Sequence, residues 1–100
     1  MNRTELQSLL ESILGSRNVY FNPPESLKIS YPCFVYKFTG FSNNKADDAN
    51  YKTRKRYQIT LIHKNPDNTL VDTLEELQYC RYENSFVIDN LYHYVYTIYI

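Results

Sequence analysis

Few side chains in this sequence are equipped for chemistry: His63 and His93, Cys33 and Cys80, and the adjacent acidic pairs Asp47-Asp48 and Glu75-Glu76. Nucleophilic catalysis needs a Ser or Cys within reach of an oriented base, and no local motif supplies that arrangement. His63 falls at the end of one predicted strand and His93 inside another, so the two can approach each other across a sheet. A metal would still lack thiolate or carboxylate partners at a recognisable spacing, and ordinary sheet histidines are the simpler account. Glu75-Glu76 sits on a helix flank and Asp47-Asp48 in a polar loop, and neither has the layout of a general acid–base pair. Gly15 and Gly40 are the only glycines, too few for a phosphate-cradling loop. The residues therefore predict no enzyme, no cofactor and no bound metal.

One charge cluster stands out, Lys52, Arg54, Lys55 and Arg56. It could touch phosphates if nucleic acid passed close by, but a solvated strand edge that resists aggregation is the favoured account. The whole chain carries eleven basic and eleven acidic residues, so no net field draws it to nucleic acid or to an anionic membrane. The two cysteines lie far apart and are too few for a secreted disulfide scaffold, which points to a reducing compartment. No apolar run approaches the roughly 20 residues that span a bilayer, and residues 1–10 are amphipathic rather than signal-like. A soluble protein with no membrane partner is expected.

One hundred residues make one domain with a thin core. Leu6, Leu9, Leu10, Ile13 and Leu14 recur at the spacing of one helical face, with Thr4 and Gln7 at capping-box separation and Gly15 as the stop. Asn22-Pro23-Pro24 then forces an extended stretch. Residues 32–39 read as a strand with Phe34, Tyr36 and Phe38 on one face and Cys33, Val35 and Lys37 on the other. A second strand over 53–64 sets Tyr57, Ile59 and Leu61 against Arg54, Arg56, Gln58 and Thr60. Residues 65–68 form a turn, and Leu70, Val71, Leu74 and Leu77 mark a second helix. Strands over 81–89 and 91–100 follow, joined through Asp89-Asn90.

The expected architecture is thus α+β: a four-stranded, mainly antiparallel sheet in the order α-β-β-α-β-β, with both helices on one face. Eleven Tyr and five Phe exceed what one small core needs. The last strand carries Tyr92, Tyr94 and Tyr96 on one face and His93, Val95 and Tyr99 on the other, so neither face is plainly made for water. An interface between protein chains is the expected use, as against tyrosines on an ordinary solvated sheet. The run over 40–52 is too long for a tight hairpin and too polar to pack, as functional loops often are. Expected contact residues are Tyr92, Tyr94 and Tyr96 on the last strand, Arg54 and Arg56 on the second, and Asn43, Lys45 and Asp48 in the loop.

Four segments carry a resemblance over most of the chain: Val19-Tyr20-Phe21-Asn22-Pro23-Pro24, Lys28-Ile29-Ser30-Tyr31-Pro32-Cys33-Phe34-Val35-Tyr36, the stretch from Lys55-Arg56-Tyr57 through His63-Lys64-Asn65-Pro66-Asp67, and Asp89-Asn90-Leu91-Tyr92-His93-Tyr94. Together they resemble the small tail-terminator and head–tail joining proteins of siphophages and prophages of Gram-positive bacteria. The resemblance implies a homo-oligomeric ring, usually a hexamer, that caps the finished tail tube and meets the connector or stopper protein of the head. DNA would pass through its lumen without sequence-specific binding. The protein would then belong to the neck of the virion, assembled in the host bacterial cytoplasm. The 40–52 loop would reach the tube or the lumen, and the basic cluster would lie near passing DNA. Another connector component, a small nucleic-acid-binding module and a regulatory protein with one host partner remain open alternatives.

Overall fold

The computed structural model describes residues 1–42 and 54–100. Helix α1 (Arg3–Leu14) buries Leu6 and Leu10 completely. It starts earlier than the Thr4 and Gln7 spacing predicts. The Asn2 side chain accepts from the Glu5 N–H at 2.9 Å, while Glu5 Oε1 accepts from the Asn2 N–H at 3.1 Å. This pair places a carboxylate in the first turn, where the helix dipole favours it, and Gln7 cannot offer that charge. The Gln7 amide instead donates to the Val19 carbonyl at 3.0 Å and to Glu11. Gly15 ends the helix as expected, at φ 79°, its N–H donating to the Glu11 carbonyl.

The sheet consists of β1 (Val19–Phe21), β2 (Cys33–Phe41), β3 (Lys55–His63), β4 (Cys80–Ile88) and β5 (Leu91–Tyr99), in the order β1-β2-β3-β5-β4. Helix α2 (Leu70–Glu75) lies between β3 and β4 in sequence. The expected four-stranded, mainly antiparallel sheet in the order α-β-β-α-β-β is therefore corrected to a five-stranded mixed sheet. Its additional member, β1, runs parallel to β2 from Val19 opposite Phe34 to Phe21 opposite Tyr36. Three residues are too few to display a two-residue alternation, so the segment was indistinguishable from a linker. The strand cannot lengthen, because Asn22 turns the backbone to φ 47° and Pro23 and Pro24 have no N–H to extend the ladder.

Register decides which side chains meet. Phe34 and Tyr36 of β2, Ile59 and Leu61 of β3, and Tyr96 and Ile98 of β5 fall on one side, where Leu6 and Leu10 from α1 and Leu74 from α2 close over them. Each large apolar side chain so buried contributes about 1.5–3 kcal/mol. The Tyr36 hydroxyl clamps α1 to the sheet, donating to Gln7 Oε1 and accepting from Arg3 Nη1. The opposite side has no helix over it among the described residues. A two-residue turn, Asp89 at φ 52° and Asn90 at φ 62°, joins β4 to β5. Both angles lie in the left-handed region that a type I′ hairpin requires. Bulges interrupt β2 between Phe38 and Gly40 and β4 between Tyr82 and Asn84.

Candidate assembly surface

The sheet ends in two unlike edges. Strand β4 forms one of them and is solvated along its length, with only Cys80 partly covered. Edge strands commonly defend themselves with charge or proline. Here Arg81 and Glu83 pair with each other at 3.1 Å, and the stretch 84–88 carries no charge at all. Val87 and Ile88 are 57% and 53% exposed, beside an exposed Phe86 stacked on His93 at 4.7 Å.

The other edge is shared. Strand β1 covers β2 only from Phe34 to Tyr36, so residues 37–41 have no strand beyond them among the described residues. Phe38 and Phe41 are exposed there, their rings 5.3 Å apart and edge-on, with Phe38 leaning on Tyr57. Arg3 lies over the nearby Phe21 ring at 4.8 Å. Phe41 pairs with Lys55, at the end of the sheet where Tyr99 pairs with Arg56, whereas Ile88 lies at the end marked by His63 and Tyr92. The aromatic patch and the β4 patch therefore occupy diagonally opposite corners.

The tyrosines expected at the interface lie on the helix-covered side. Tyr96 is 2% exposed and packs on Tyr82 at 5.6 Å, with its hydroxyl directed to the Val71 carbonyl. Burial, then the nearby Glu75 carboxylate, pushes its phenol up to about 12. Tyr94 is half-buried and donates to the Pro66 carbonyl at 3.4 Å, and Tyr92 stands opposite both His63 and Val87. Arg54 lies 4.1 Å over the Tyr79 ring. Arg56 donates through Nη2 to the Thr39 carbonyl at 3.0 Å and through Nε to Thr39 Oγ1 at 3.2 Å. Both guanidinium groups thus have partners within the chain. Asn43, Lys45 and Asp48, like Lys52, lie outside the described residues.

The unhelixed side holds a shallow concavity of about 540 Å³, lined by Thr39, Arg56, Gln58, Arg81, Glu83 and Tyr99 among others. Thr39 and Glu83 are the two residues that the bulges insert, and bulges bend a strand, which gives this side its curvature.

Of the groups considered first for chemistry, Asp47-Asp48 lies outside the described residues and the two histidines are separated. His63 pairs with Tyr92 while His93 pairs with Ile62, so the imidazoles belong to opposite faces and cannot approach across the sheet. His63 Nδ1 accepts from the Asn65 N–H at 2.9 Å, and burial lowers its pKa. Burial pushes the Cys33 thiol up to about 12, and burial with help from Glu75 pushes Cys80 up to about 11. Both remain thiols at neutral pH. Among the described residues no three His, Cys, Asp or Glu side chains gather as a metal site, and no helix is long and apolar enough to cross a membrane.

Sequence reasoning recognised open edges in general but missed which residues make them. The available signal was Phe86-Val87-Ile88, three consecutive apolar residues before a turn, a pattern that a half-buried strand does not need. Set beside known proteins, the chain matches no family model, no curated protein and no solved structure.

Proposed function

We propose that the chain is a non-enzymatic structural protein whose copies associate head to tail into a closed ring, acting as a tail terminator or head–tail joining component of a bacteriophage. The observation that supports this reading is the pair of different apolar corners on opposite edges of one sheet. A two-fold pair would bury one corner against itself and leave the other in water. A head-to-tail arrangement covers both on every subunit, and it closes when the rotation between neighbours divides a full turn. Zero net charge lets like copies approach without a repulsive field.

The choice of a terminator ring, usually of six copies, comes from the resemblance of the chain's four segments to that family. In that reading one rim meets the tail-tube protein, the other meets the head connector or stopper, and DNA passes through the lumen. A neighbouring role in the same connector is the second reading. A nucleic-acid-binding module is less well served, because Arg54 and Arg56 are engaged by Tyr79 and Thr39. The functional test is to add the purified chain to tail-tube protein as it polymerises. A terminator stops tube growth at substoichiometric amounts, whereas unchanged tube lengths would remove the terminator role.

A further inference from the structure

Backbone direction specifies how the two corners can meet. Along β2 the Phe34 N–H donates outward to the Asn18 carbonyl, and the Tyr36 carbonyl accepts from the Asn22 N–H. The alternation of a strand then aims the N–H and C=O of Phe38 outward as well, past the end of β1. On β4, the two-residue turn makes Ile88 and Leu91 the hydrogen-bonded closing pair. Val87, one residue back, therefore directs its N–H and C=O away from β5. Both Phe38 and Val87 stand on the helix-covered side, since their partners are Tyr57 and Tyr92. Strand β4 also runs opposite to β2, because β2, β3, β5 and β4 alternate in direction.

We propose that β4 of one copy adds antiparallel to residues 37–41 of β2 in the next copy, with Val87 opposite Phe38. This rests on the self-association reading above. The partner is a second copy of this chain because its own opposite edge supplies all three requirements: antiparallel direction, outward hydrogen-bonding groups at the matching position, and apolar side chains on the same side of the sheet. The pairing sets Lys37, the only charged residue of β2, opposite Ile88 and one residue from Asp89 of the neighbour. The hairpin turn then abuts the neighbour where its β1 ends at Phe21. The four-strand alternation continues through the junction, and the recognition is that of an added strand.

The test is cross-linking between two single variants, Phe38→Cys and Val87→Cys, made separately in a Cys80→Ala background and oxidised mildly at a concentration where the wild type is assembled. Directly opposed residues in such a pair have Cα atoms about 5.5 Å apart, within disulfide reach. Cys33 is fully buried and stays out of the reaction. The expected result is a disulfide dimer in the mixture and none in either variant alone. A disulfide in Val87→Cys alone means that β4 pairs with β4 and overturns this proposal while leaving self-association standing. Absence of any cross-link in variants that scatter light as oligomers overturns it in the same way. Wild-type protein that stays monomeric at every concentration overturns the self-association reading and this pairing together.

Discussion

Phe38 and Val87 stand on the same side of the sheet near its two opposite edges, both exposed, Phe38 on β2 past the end of β1 and Val87 on the outermost strand β4, with no strand beyond either among the described residues. A single chain cannot bring them together, since β3 and β5 lie between the strands that carry them. A second copy can, and that relation gives the fold its expected use.

Val87→Asp places a charge on the open β4 edge without disturbing the core. Its effect on the stability of the single chain is within about 0.5 kcal/mol, as for other surface changes. Association weakens at least about tenfold, the equivalent of roughly 1.4 kcal/mol. Sedimentation over a concentration series together with thermal melts of the dilute protein separates the two quantities.

Tyr96 and Tyr92 lie on the same strand and face but differ in burial. Tyr96→Ala opens a cavity against Tyr82 and the core and costs about 3–5 kcal/mol, much of the stability of a small domain. Tyr92→Ala costs less than half of that. Urea unfolding of the two variants checks the ordering.

Gly40 has φ 137°, a region that side chains other than hydrogen rarely adopt, and a Cβ there would lie 3.1 Å from Arg56 Nη2. Gly40→Ala strains the backbone and displaces the guanidinium from Thr39. The expected cost is about 1–3 kcal/mol, read from the urea midpoint.

Burial holds the His63 pKa below 6.5, so the folded chain binds fewer protons than the unfolded chain once pH drops below that value. This group's contribution to stability is fully present well above pH 6.5, declines as pH falls from there through the lower folded value, and levels off below it; protonation also removes the lone pair that accepts from Asn65. His63→Gln flattens that part of the curve. Melting temperatures of both proteins between pH 7.5 and 5.5 give the comparison.

The legible parts of the sequence were those in which one period repeats several times. The helical stripe from Leu6 to Leu14, the alternation of Tyr57, Ile59 and Leu61, and the Asp89-Asn90 turn all have local causes and appear where the pattern puts them. Strand β1 was not legible, because Val19-Tyr20-Phe21 becomes a strand only through parallel pairing with residues 34–36, a tertiary event. The side taken by the tyrosines was hidden for a related reason. Both faces of β5 are apolar enough to be buried, and only the β3 register and the α2 position decide that Tyr96 faces inward. The exposed corner at Val87 and Ile88 depends in turn on β4 being the outermost strand, which follows from sheet order rather than composition.

The most direct test of the account is the molar mass of the purified chain in solution, measured by light scattering behind a sizing column from low to high concentration. Head-to-tail closure predicts one discrete mass at a fixed small multiple of 12.0 kDa, unchanged as concentration rises further. A mass of one chain at every concentration, or one that grows without limit, would contradict a closed ring built on these two edges.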